Sequence, residues 1–217
     1  MIHHQALHRR HFILGTAAGL LAGASTRAAA RATPLILVLG DSLSAEYGLA
    51  RGTGWVALLE KRLAQEKIAA TVVNASVSGD TTSGGRARLP ALLEQHRPTH
   101  VVIELGSNDA LRGLPLKNTG DNLAWMTEAA QKAGARVLLV GMQVPPNYGT
   151  DYANKFAALF PTVAQARKAA VVPFLLQGVA DGPDPTRLFQ ADRIHPRAEA
   201  HPQMLANVWP ELKKLLR

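Results

Sequence analysis

The 217-residue chain predicts a three-layer α/β/α domain around a five-stranded parallel sheet, and two patterns carry that prediction. Five short apolar runs, most of them rich in β-branched residues, recur at 35–39, 71–73, 101–105, 137–140 and 171–172. Stretches with helical spacing lie between them. Strands that are apolar on both sides need cover on both faces, which is how parallel sheets joined by helices are built.

Each element follows in order. Leu35-Ile36-Leu37-Val38-Leu39 stops at Gly40, and Trp55, Leu58, Leu59 and Leu63 then fall on one face of a helix. After the second strand, Asp80-Thr81-Thr82 offers a cap for a helix running toward Leu92 and Leu93. Helices over 119–133, 155–170 and 198–216 alternate with the last strands. Two stretches break the pattern: 141–150, with Pro145-Pro146-Asn147-Tyr148-Gly149, and 177–196, with Pro183, Pro185 and several aspartates. Both follow a strand, so both belong on the edge where an open α/β sheet meets its ligands.

Length and composition fit one domain: at 47% hydrophobic residues, a full core forms without cross-links. The absence of cysteine excludes disulfides, thiolate zinc sites, a thiol nucleophile and a lipid-modified N-terminal cysteine. Residues 1–30 read as an export signal, leaving a domain over 31–217. Arg9 and Arg10 precede a small, apolar run from 12 to 24, and Ala28-Ala29-Ala30 suits cleavage after Ala30, with Ala28 as an alternative. The run is shorter than the about 20 residues a membrane span needs, so no stable insertion is expected. Arg9-Arg10-His11-Phe12-Ile13 resembles a twin-arginine signal with His8 in place of the usual hydroxyl residue, and both the Sec and the twin-arginine routes stay open. The expected destination is a bacterial periplasm or the medium. Removing Arg9, Arg10 and Arg27 lowers the formal charge from +8 to +5, and the remaining cations are scattered without interleaved aromatics. No nucleic-acid surface is indicated.

The chemistry concentrates at strand ends. Ser42 stands two residues past the first strand, where a hydroxyl faces the crevice. A serine needs an adjacent base, and histidine suits that task near neutrality. His3, His4, His8 and His11 leave with the signal; His96, His100 and His201 read as ordinary hydrogen-bonded surface residues. His195 alone has a local acid, Asp192, three residues before it. In that arrangement Asp192 holds the ring's tautomer and stabilises the imidazolium. An oxyanion needs fixed donors, and three strand ends offer them: the Ser42 N–H, the loop Asn74-Ala75-Ser76-Val77-Ser78-Gly79-Asp80, and Asn108 in Leu105-Gly106-Ser107-Asn108-Asp109. Together these residues point to a serine esterase. There is no G-x-S-x-G, which argues against the common α/β-hydrolase elbow. Gly52-Thr53-Gly54-Trp55-Val56-Ala57 spells a dinucleotide fingerprint but lies too far past the strand. Neither H-E-x-x-H nor a P-loop occurs.

These blocks resemble the SGNH hydrolases of the GDSL family: Gly40-Asp41-Ser42-Leu43-Ser44, Gly79, Gly106-x-Asn108-Asp109 and Asp192-x-x-His195. Leu89-Pro90-Ala91-Leu92-Leu93, Leu111-Arg112-Gly113, Pro146-Asn147-Tyr148-Gly149 and Ile194-His195-Pro196 resemble its bacterial periplasmic thioesterase/lysophospholipase and arylesterase branch. The resemblance implies a flavodoxin-like sheet and hydrolysis of acyl esters, thioesters and lysophospholipids by Ser42, Asp192 and His195. It further implies an oxyanion hole of Ser42, Gly79 and Asn108, no metal or cofactor, and a monomer. Asp41, Leu43, Ser107, Leu111, Pro146, Tyr148 and Ile194 are expected around the substrate. Ser107 stands where many relatives carry a second glycine. Two alternatives use the same residues differently: a carbohydrate O-acetylesterase, or a non-catalytic periplasmic binding module.

Overall fold

A computed structural model describes Met1, residues 33–144 and residues 146–217, except the Pro146 side chain. The expected export signal and Pro145 lie outside the described residues. Five parallel strands run in the order β2-β1-β3-β4-β5, with β1 Leu35–Gly40, β2 Thr71–Asn74, β3 His100–Glu104, β4 Arg136–Val140 and β5 Ala170–Val172. This is the doubly wound flavodoxin-like order, whose direction reverses between β1 and β3. Ligands bind outside the strand ends at such a reversal. Register follows from burial: Ile36 to Leu39 of β1 sit against His100 to Ile103 of β3, and the apolar side chains of both are wholly buried or nearly so. Edge strand β2 is partly exposed, which a sheet edge tolerates.

Helices α1 (Trp55–Gln65) and α6 (His201–Leu215) pack against each other. Helices α2 (Thr82–His96), α4 (Leu116–Lys132) and α5 (Thr150–Arg167) pack in series. Chain direction accounts for this division, because β1→β2 travels one way across the sheet and every later crossover travels the other. In α1, Trp55, Val56, Leu59 and Leu63 are buried, while Leu58 packs at the margin of the core. The expected cap of α2 is Thr81, whose hydroxyl accepts the Gly84 N–H at 3.3 Å. Phe156 and Phe160 of α5 meet edge to face at 5.5 Å, both fully buried. Truncating either to alanine costs about 3–5 kcal/mol.

Several boundaries differ from the sequence expectation. Helix α4 begins at Leu116 rather than 119, with Leu116 packed against the core. Helix α5 begins at Thr150 rather than 155 because Gly149, at φ +88°, turns the chain into it. It ends at Arg167, where Lys168 adopts the left-handed conformation. A short helix α3 (Ser107–Leu111), which the sequence reading does not include, follows β3.

Candidate active site

Ser42 is carried on a tight turn after β1. The Asp41 carbonyl accepts the N–H groups of Ser44 and Ala45, and the Asp41 carboxylate accepts the Leu43 N–H at 3.0 Å. Gly40 makes room for this turn. A Cβ there would lie 2.8 Å from the Ser44 side chain and 2.9 Å from the Glu104 carboxyl. Beneath the turn, Trp55 donates its indole N–H to Ser44 Oγ at 3.1 Å, and Ser44 donates to Glu104 Oε2 at 2.7 Å. The turn that carries Ser42 is thereby pinned to α1 and to the end of β3.

His195 arrives from the long loop between β5 and α6. Phe189 and Pro196 form an antiparallel bridge, and Gln190 donates its N–H to the His195 carbonyl at 2.8 Å. The Gln190 side chain reaches across to the Tyr47 carbonyl at 2.9 Å, tying the loop to the segment that carries Ser42. His195 Nε2 lies 2.9 Å from Ser42 Oγ, and Nδ1 lies 2.7 Å from Asp192 Oδ2. Asp192 Oδ1 accepts the Ile194 and His195 N–H groups, so its own turn orients the carboxylate. Partial burial pushes that carboxyl up, but the His195 ring and the two N–H donors outweigh it and hold it down at about 2. Tyr47 lays its ring 4.3 Å from the imidazole centroid.

Asn108 comes from α3, which the third strand end launches through Gly106. That glycine holds φ +127°, and a Cβ there would press on Phe160 at 3.3 Å. The Asn108 amide donates to Asp41 Oδ2 at 3.0 Å and to the Asp80 carbonyl at 2.9 Å. Gly79 holds φ +79°, and its carbonyl accepts from Arg112 at 2.8 Å. The N–H groups of Ser42 and Gly79 have no partner among the described residues. Behind Asn108, buried Asp109 accepts the Thr82 N–H and the hydroxyls of Thr82 and Thr119, which braces α3 against α2 and α4.

Two buried acids lie under this machinery. Burial raises Asp41 to about 6, against the opposing pull of the Leu43 N–H, the His195 charge and the Asn108 amide. Burial and the Asp41 charge push Glu104 well above the usual carboxylate range.

A cleft of about 670 Å³ opens beside Ser42 and His195. Of the residues expected around substrate, Asp41, Leu43, Ser107, Leu111 and Ile194 line it, together with Asn108. Tyr148, in the short helix before α5, stacks at 6.3 Å on Tyr152 of α5, and neither Tyr148 nor Gly79 lines the cleft. The Pro146 side chain is outside the described residues. The apolar wall was not named from sequence: Met142 and Val144 follow β4, and Phe174, Leu176, Pro185 and Phe189 follow β5. Met142, Val144, Pro185 and Phe189 fall within the two irregular stretches, whereas Phe174 and Leu176 lie just before the second. Ser107 Oγ is buried and has no hydrogen-bond partner among the described residues. His100 and His201 are buried rather than on the surface. His100 bonds Thr99 and the Leu215 carbonyl, and His201 Nδ1 accepts the Trp55 N–H at 2.9 Å, capping α1 from α6.

Comparison with known proteins places this geometry. A model of the GDSL-like Lipase/Acylhydrolase family matches residues 38–202. Esterase TesA of Pseudomonas aeruginosa strain PAO1 is 52% identical over 185 residues, covering 85% of this chain and 90% of that protein. Thioesterase 1/protease 1/lysophospholipase L1 of Escherichia coli K12 is 42% identical over 173 residues, covering 80% of each. A crystal structure of TesA superposes with a TM-score of 0.80 at 52% identity, covering 83% of this chain and 99% of that one. The family match begins inside β1, just before the Ser42 turn, and ends inside α6, just beyond the His195 loop; the chain belongs to the GDSL-like lipases and acylhydrolases.

Proposed function

We propose that this hydrolase cleaves carboxylic esters and thioesters of acyl substrates through an acyl-enzyme on Ser42. The observation that carries the reading is the unbroken hydrogen-bond chain from Ser42 through His195 to Asp192, at 2.9 and 2.7 Å. With Nδ1–H given to Asp192, Nε2 is free to accept the Ser42 proton as Oγ bonds to the carbonyl carbon. The carbonyl oxygen becomes an oxyanion held by the Ser42 and Gly79 N–H groups and the Asn108 amide. To reach that amide it displaces the Asp41 carboxylate, which now occupies one of its two hydrogens. Collapse breaks the bond to the leaving alkoxide or thiolate, which takes the proton from Nε2. Water then attacks the acyl-enzyme by the same route and releases the acid.

The apolar wall of Met142, Val144, Phe174 and Leu176 favours acyl chains over acetylated sugars. Residues 1–30 act as the export signal, and the mature enzyme works as a periplasmic monomer on short-chain esters and lysophospholipids. A panel of p-nitrophenyl esters of increasing chain length tests the reading. Wild type turns over the series with a preference beyond acetate, and Ser42→Ala and His195→Ala lose turnover while staying folded. Turnover that survives Ser42→Ala, or acetylated xylan outrunning every acyl ester, would defeat it.

A further inference from the structure

From Thr33 onward, the described residues leave four large apolar side chains exposed: Tyr47 at 49%, Val77 at 50%, Leu111 at 44% and Ile194 at 47%. Single exposed apolar residues are ordinary on a protein surface. These four converge. They sit on the four segments that follow β1, β2, β3 and β5, all at the edge that carries the cleft. The Tyr47 ring covers His195, and Leu111 and Ile194 line the cleft mouth. Val77 donates its N–H to the Gly40 carbonyl at 3.0 Å, beside the nucleophile's turn.

The same segments carry exposed arginines. Arg51, Arg112, Arg187 and Arg193 form no ion pair among the described residues. The nearby carboxylates are mostly engaged: Asp80 by Arg88, Asp192 by His195, and Glu46 by the Gly52 and Gly54 N–H groups. Asp181 and Asp184 accept only local N–H and hydroxyl groups and offset part of the positive charge.

We propose that this rim is a docking surface for an anionic lipid interface. The apolar tips enter the boundary between head groups and acyl chains while the arginines meet phosphates. An acyl chain then passes from the lipid into the cleft without crossing water. A second copy fits less well, because a self-complementary contact would set one arginine-rich rim against another. The lipid as substrate source rests on the esterase reading above; the docking itself rests on the rim alone.

The test is co-sedimentation of the protein, purified as cells process it, with vesicles of non-hydrolysable ether-linked phosphatidylglycerol or phosphatidylcholine. Binding to the anionic vesicles, weakened by salt, is expected. The combined variant Val77→Ser, Arg51→Gln, Arg187→Gln should bind at least about tenfold more weakly, since each arginine near such a surface is worth roughly fivefold. Its kcat/KM on soluble p-nitrophenyl acetate should match wild type, because none of the three residues lines the cleft. Unchanged vesicle binding by the variant, equal binding to both lipids, or a dimer that Val77→Ser dissolves would each overturn the docking surface. Wild type that hydrolyses the soluble ester but ignores vesicles sinks the rim and leaves the esterase standing. Salt-sensitive vesicle binding without soluble-ester turnover does the reverse.

Discussion

Asn108 spends both amide hydrogens before any substrate arrives, one on Asp41 and one on Asp80. That holds the side chain in place, and in the proposed mechanism an oxyanion must compete with Asp41 for one of those hydrogens. Asn108→Ala should therefore lower kcat by two to three orders of magnitude, roughly one oxyanion donor, with a small change in KM. Steady-state kinetics on a p-nitrophenyl ester reads the split. Asp41 adds a pH signature. Held at about 6 by burial, it is ionised above that pH and neutral below it. The neutral form gives the imidazolium no countercharge and a weaker acceptor to Asn108. The acidic limb of the rate profile should thus contain an ionisation near 6 that Asp41→Asn removes, making the limb shallower. Unchanged steepness in that variant would put the ionisation elsewhere.

Strand ends, more than strands, decide where the side chains point. Gly106 is the clearest case: its φ of +127° strains any side chain, and the Phe160 ring 3.3 Å from an added Cβ would have to shift by a few tenths of an ångström. Gly106→Ala should cost about 1–3 kcal/mol in thermal or denaturant unfolding. It should also depress kcat by shifting α3 and Asn108, and full activity with lowered stability would show that Asn108 does not depend on this turn. The five strands were legible in the sequence because burial on both faces writes continuous apolar runs. Helix α3 was not, since Ser107-Asn108-Asp109-Ala110-Leu111 is too short to show a period. The cleft wall was hidden for another reason: Met142, Phe174 and Leu176 are apolar residues in loops, and nothing in sequence separates them from core. His100 and His201 misread as surface because a lone histidine does not announce the backbone carbonyl or helix N–H that it satisfies. Ser42, Asp192, His195 and Asn108 stood out because each chemical residue type sits just past a strand or beside its partner.

The whole molecule holds acids with opposite pH effects. Asp192 lies below its unfolded value, so its stabilisation is present above about pH 4 and lost as pH falls toward 2. Asp41 lies above its unfolded value, so its burial destabilises the fold above about pH 6, and that penalty fades as pH falls toward 4. Urea unfolding across this range should therefore show Asp192→Asn losing most relative to wild type at neutral pH and converging with it in acid. Asp41→Asn should gain most at neutral pH and lose its advantage near pH 4. Curves parallel to wild type would contradict both assignments.

The sheet brings the hydroxyl of Ser42 within 2.9 Å of the imidazole of His195, 153 residues away along the chain. The most direct measurement is mass-spectrometric mapping of the protein after reaction with a fluorophosphonate. A single adduct on Ser42, formed fast in wild type and nearly lost in His195→Ala, is the predicted result. An adduct on another residue, or equal labelling with and without His195, would contradict the account.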